Sequence, residues 1–168
     1  MHSYLSHTTA HQNFTLEDTI QHVKEVESWK APKELQRKFP YYLSGYDYED
    51  QPVWIAEVGK YNVRAQIEKG PEAARNLTQY LFQAVFRIVK SMQVKDTVDQ
   101  EIRTAFFIGD CDGLDLNQST HVPTVTYVLN LLQTHSDFLT LMVGHVIALN
   151  VNYVASLAFQ SLRTTLGE

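Results

Sequence analysis

Behind Gly70-Pro71, apolar residues recur at three- and four-residue spacing: Ala73, Ala74, Leu77, Tyr80, Leu81, Ala84, Val85, Ile88, Val89 and Met92. The stripe runs for about five helical turns, and a helix apolar over that width packs on a sheet along its whole length. The flanking sequence supplies the strands. Residues 53–58 (Val-Trp-Ile-Ala-Glu-Val) read as a strand entered through Pro52 and left through Gly59, residues 104–108 as a second and residues 145–149 as a third. Helices fall between and around them. Thr15-Leu-Glu-Asp18 has the form of a capping box, followed by Leu16, Ile20, Val23, Val26 and Trp29 on one helical face. Pro32 opens a short helix that Pro40 ends, and residues 44–50 read as turns. A short helix is expected near 63–69, another from 121 to about 132 with Pro123 in its first turn, and a last one from 153 to about 165. Strands alternating with helices predict an α/β fold whose mostly parallel sheet is covered by helices.

Composition limits the function classes. With 168 residues, 44% hydrophobic and 20% charged, the chain suits one domain with a sizeable core. A net charge of −5 with scattered Lys and Arg argues against a nucleic-acid surface, which needs clustered cations. The one cysteine, Cys111, cannot form an internal disulfide, so a cytoplasmic setting is expected. The first residues lack both the basic and the apolar region of a signal peptide. No window reaches the roughly 18 apolar residues of a membrane span.

Residues 103–116 hold the main chemical question. An apolar run ends on Asp110-Cys-Asp112-Gly113, and α/β proteins place their sites at the carboxyl ends of parallel strands. Asp110 and Asp112 at this spacing allow a phosphatase of the haloacid-dehalogenase type, the first carboxylate attacking phosphorus and the second acting as general acid with Mg²⁺. That chemistry also requires a lysine and further acidic ligands on later strands. After Asp115 the chain has one acid before its terminal residue, Asp137, and no lysine. Both aspartates are therefore expected to be non-catalytic, the turn structural, and the chain not an enzyme. Neither His7 and His11 nor the Asp110, Asp112, Asp115 and Asn117 group completes a metal site, and no metal or cofactor is expected. Cys111 is expected to be a small buried hydrophobe.

Three stretches together resemble a known family. Residues 40–59, from Pro-Tyr-Tyr-Leu-Ser-Gly through Gln51-Pro-Val to Gly59, are similar to the Tyr-rich approach and Pro-Val turn before the first strand of CRAL-TRIO lipid-binding domains. Residues 103–116 resemble that family's central strand ending in Asp-x-x-Gly, and residues 146–166 its Ile-Asn-Ala-Pro strand end with the gate helix beyond. The family includes tocopherol and retinaldehyde carriers and phosphatidylinositol/phosphatidylcholine exchangers, so the resemblance implies a lipid held in an apolar cavity under a mobile helix. Gln51 stands where the family has Arg, Asn152 where it has Pro, and no Pro-Glu pair occurs near residues 139–141. These departures weigh against inositol-lipid binding.

On this resemblance, residues 1–12 are a flexible terminus, 13–39 the remnant of an amino-terminal helical lobe, and 40–168 an incomplete lipid-binding domain lacking its last strands. The expected function is binding and transfer of a phospholipid, tocopherol-like or retinoid-like ligand. Helix 153–166 would be the gate, touching membranes transiently and mediating self-association. The expected lipid-contacting residues are Leu81, Val85, Phe107, Leu114, Asn117, Val151, Tyr153, Leu157, Phe159 and Leu162, with Asn117 the polar contact. A second reading, from another class, is a degenerate interaction module that no longer exchanges lipid.

Overall fold

A computed structural model describes residues 1–6 and 11–166, the side chains of Tyr4, Phe138, Ala158 and residues 161–166 excepted. The elements run α1 (His2–Leu5), α2 (Leu16–Ser28), α3 (Lys33–Lys38), β1 (Tyr41–Tyr46), β2 (Pro52–Ala56), α4 (Val63–Glu68) and α5 (Pro71–Lys95). They continue with β3 (Ala105–Asp110), α6 (Leu116–Ser119), α7 (Val122–Met142), β4 (Val143–Leu149) and α8 (Tyr153–Leu166). The strands form one sheet in the order β1-β2-β3-β4, with β1 antiparallel to β2 and the other pairings parallel. The expected α/β class and mostly parallel sheet are what the chain adopts.

Topology decides where the helices go. Parallel neighbours need long crossovers, made here by α4 and α5 between β2 and β3 and by α6 and α7 between β3 and β4. Right-handed crossovers that step twice in the same direction across a sheet put their helices on the same face. The core lies on that face. Trp54 and Ala105 of the sheet pack there with Phe86, Val89 and Met92 of α5 and Met142 of α7. Trp54 Nε1 donates to Ser91 Oγ at 2.9 Å, and that hydroxyl donates to the Ile88 carbonyl at 2.6 Å. The Tyr46 hydroxyl donates to the Ser91 carbonyl at 3.2 Å, so α5 is pinned to two strands at one residue. A second cluster joins Leu35 and Phe39 to Leu77 and Tyr80 further up α5.

The amino-terminal helices lie on the same layer. Thr15 caps α2 as expected, its side chain accepting from the Asp18 amide while the Asp18 carboxylate accepts from the Thr15 amide. The other end of α2 is held by α5. Buried Gln83 donates through Nε2 to the carbonyls of Val26 and Trp29, at 3.0 and 2.9 Å, satisfying acceptors that a helix end leaves open. Residues 1–12, expected to be a flexible terminus, carry α1, whose Leu5 is fully buried in the core; residues 7–10 lie outside the described part.

Three differences from the sequence reading have physical reasons. β1 occupies part of the stretch read as turns. It is an edge strand with a bulge between Leu43 and Gly45, and Ser44-Gly45 is a breaker signal that a bulge absorbs. α7 runs to Met142, past the expected end near 132, because polar Gln133, Thr134 and Ser136 interrupt its stripe while Leu139 and Met142 still reach the core. β4 starts at Val143 and carries its own irregularity opposite Ala105 and Phe106.

Replacing Ser91 with Ala leaves the Trp54 indole N–H buried without its acceptor, which costs about 1–3 kcal/mol. Urea unfolding of the S91A chain should show that loss in midpoint with an unchanged slope.

Candidate functional site

The same topology that stacks every crossover helix on one face leaves the other face bare. Because partners in register share a face, Tyr42, Ile55, Ile108 and Ile147 form one row across all four strands. Val53, Phe106 and His145 form the next, with the Phe106 and His145 rings 5.9 Å apart. Tyr42 is 45% exposed and Ile147 46%, a large exposure for apolar side chains at strand positions. The central members are half-buried by their neighbours alone. At the β4 edge the exposure continues through Leu149 and Val151 to Tyr153 and Leu157 of α8, which packs on α6 and α7, while Val146, the register partner of Phe107, is exposed on the helix side of that edge strand. The row is apolar, three isoleucines ending on Tyr42, and exposed apolar surface of this kind marks a ligand or interaction site.

The carboxyl ends of the strands close tightly around it. A Cβ on Gly59 would lie 1.9 Å from the Asp112 carbonyl oxygen, so the loops after β2 and β3 meet backbone to backbone there. Gly113, at φ +84°, makes the return turn. Asp110 binds the ends of β3 and β4 together: its Oδ1 accepts from Asn150 Nδ2 at 2.8 Å and from the Asp112 amide at 3.0 Å. The Asn150 hydrogen bond comes first among the causes that hold the Asp110 carboxyl below its ordinary value. The Cys111 amide donates to the Leu149 carbonyl, and its thiol is buried and pushed up by that burial. A polar cleft of about 510 Å³ opens beside these loops, lined by Lys60, Asn62, Arg64, Asp115, Asn117 and Gln118 among others. Its cations are occupied: Lys60 pairs with Glu57, and Arg64 with Glu68 at 2.7 Å.

The residues expected to contact lipid fall into two groups. Leu81, Val85 and Phe107 pack into the cores under the sheet, since Phe107 shares the covered face with its register partner Trp54. Leu114, Asn117, Val151, Tyr153, Leu157 and Phe159 lie at or beyond the strand ends, and the Leu162 side chain lies outside the described residues. Leu114 is half-buried and its carbonyl accepts from Asn152. Asn117 is exposed, its amide side chain donating to Asp115 at 2.8 Å. Val151, Tyr153 and Leu157 are exposed and Phe159 half-buried. The bare-face residues Tyr42, Val53, Ile55, Phe106, Ile108 and Ile147 are absent from the sequence-derived set. Alternation along each strand separates the two faces, but only the strand order says which one the helices leave open.

One helical layer on a mostly parallel sheet, with an apolar row on the other face, is the architecture of the chain. Residues 36–168 match the CRAL/TRIO domain, and the chain belongs to that family, whose members in general bind and transfer lipids rather than catalyse reactions. No curated protein matches the chain. Among the described residues no helix is long and apolar enough to cross a membrane.

Gly59→Ala forces the two loops apart, and overpacking of this kind costs about 1–3 kcal/mol; a lowered thermal midpoint checks it. Asn150→Ala removes the main hydrogen bond to Asp110 and should move that carboxyl back up toward its ordinary value. A carbon-detected NMR titration of the Asp110 carboxyl reads that shift directly.

Proposed function

We propose that the chain binds a single hydrophobic lipid on the bare face of the sheet and exchanges it with membranes, α8 acting as the gate. The observation that carries this is the row Tyr42, Ile55, Ile108 and Ile147, an apolar floor with no helix over it among the described residues. Each methylene moved from water onto such a surface contributes about 0.8 kcal/mol. Ten of them give about 8 kcal/mol, which corresponds to micromolar affinity. Exposed Tyr153 and Leu157 on α8 suit a helix that covers acyl chains when closed and meets a bilayer surface when open. In this reading residues 40–168 are the lipid-binding domain and residues 13–39 a helical lobe laid against it.

The polar cleft beside Asn117 lies at the strand ends and is the place for a headgroup. With its cations paired, it suits a neutral or zwitterionic group better than a multiply charged phosphate. Asp110 and Asp112 keep a structural role at the strand ends, so their Asn variants should leave hydrolysis of a phosphate ester at the blank level.

Lipid co-purifying with the folded chain, identified by mass spectrometry, tests the reading. Ile55→Asp and Ile108→Asp put charges on the floor and should reduce bound lipid and vesicle-to-vesicle transfer at least about tenfold, since one buried charge outweighs several methylenes. Leu157→Asp should slow transfer more than it weakens binding. A folded chain that carries no lipid, and whose floor variants behave like the parent, would instead support an interaction module.

A further inference from the structure

Three imidazoles from separate parts of the chain converge on one side of α5. His11 sits in the turn before α2, His22 within α2 and His135 within α7. The His11 and His22 ring centroids are 5.2 Å apart, His11 stacks on Phe82 at 6.1 Å and 15°, and the His135 ring centroid is 5.1 Å from that of Phe82. Phe14 and Phe86 meet His22 edge-on at 5.6 and 5.8 Å. Nε2 of His22 is buried and has no hydrogen-bond partner among the described residues. A groove of about 440 Å³ beside the cluster is almost wholly apolar, lined by Phe82 and Tyr127 with Arg75 at its edge.

We propose that this cluster is a pH-sensitive latch, in which protonation of His11, His22 and His135 releases the arm formed by residues 11–29 from α5 and α7 while the α/β domain stays folded. Burial against Phe14, Phe82 and Phe86, the unpartnered Nε2 of His22 and the repulsion between neighbouring imidazoliums favour the neutral rings, against the weak attraction that a ring face offers a cation. The surrounding charges do not offset this. α2 brings Glu25, which acts on His22 but also accepts from Gln21 at 2.8 Å, and Glu27, which is paired with Lys90. α5 brings Arg75 beside the groove and Arg87, which donates to Gln83 and Tyr41, so its contribution is cationic. α7 brings Asp137, which is exposed, and α1 brings His2, hydrogen-bonded to Thr19.

Burial is the first cause that lowers all three imidazoles below their ordinary value of 6.5, and His11 is lowered further by repulsion from His22 and His135. The sign follows. Above pH 6.5 the imidazoles are neutral whether the arm is docked or free, and the docked state has its full stability. As the pH falls through 6.5 the freed arm takes up protons that the docked one refuses. Docking then weakens by up to about tenfold per pH unit for each imidazole, until the docked imidazoles themselves titrate. At neutral pH the Gln83 bridge to Val26 and Trp29 holds the arm in place. The arm precedes residue 36, where the family match begins, whereas His135 lies inside the matched region.

Amide hydrogen exchange on the full chain between pH 7.5 and 5.5, corrected for the intrinsic rate, tests the latch. Protection of α2 amides should fall at least about tenfold relative to those of β3, and the double variant His22→Phe, His135→Phe should lose most of that dependence. Protection of α2 that is flat with pH, that falls together with β3, or that falls equally in the variant would overturn the proposal. If the variant does not fold, NMR titration of the imidazole rings in the parent decides alone: pKa values below 6.5 for the three support the latch, and values at or above 6.5 overturn it.

Discussion

Strand order is the constraint from which the rest of this structure follows. A sheet that grows from β2 to β3 to β4 by two crossovers of the same hand, as parallel crossovers as a rule are, receives its helices on one face, and α5 and α7 share one core with Trp54 and Ala105. A doubly wound sheet reverses direction partway and covers both faces; this one does not reverse. The consequence is a division of labour among strand positions. Trp54, Ala105 and Phe107 look toward the helices and make the core, while Ile55, Phe106 and Ile108, one residue away, look outward. The Trp54 to Ser91 hydrogen bond fixes that assignment, because a one-residue slip of β2 against α5 would send the indole to the bare face and the isoleucine to the helix.

The acidic turn at residues 110–113 takes its meaning from the same geometry. Two aspartates at the end of a parallel strand resemble a catalytic pair, yet their hydrogen bonds go to Asn150 and to the backbone of the turn itself. Asp110 thereby joins β3 to the residue after β4, where Asn150 adopts φ 52°. Beside it Gly59 lets the neighbouring loop approach to backbone contact. These contacts set the rim of the bare face, and that rim positions α8 relative to the floor.

Much of this was legible from residues alone. The α5 stripe, the capping box at Thr15 and the β-rich runs at 53–58 and 104–108 each carry a strong local signal, and the structure places elements at all of them. β1 escaped because a bulged edge strand containing Ser44-Gly45 looks locally like a turn, and its pairing with β2 is a non-local fact. The end of α7 escaped because His135 reads as a polar break, whereas it packs against Phe82 from α5. The site divided in the same way. Exposed Tyr153 and Leu157 lie on the apolar face of the last helix and Val151 at the strand end before it, while apolarity in Leu81, Val85 and Phe107 does not distinguish core from open face.

A bare aliphatic floor also couples stability to occupancy. Side chains such as Ile147 and Leu149 stay in contact with water when nothing covers them, and among the described residues β4 is an edge strand beside them. A ligand that binds only the folded sheet adds RT ln(1 + [L]/Kd), about 2.7 kcal/mol at a hundredfold excess over Kd. For a chain whose core lies entirely on one side of a four-stranded sheet, that is a large share of the 5–15 kcal/mol typical of domains. The proposed lipid would then act as the second layer of the fold as well as its cargo. Emptying the site without a membrane at hand would expose floor and edge together, whereas the proposed exchange on a bilayer surface would keep the apolar face covered throughout.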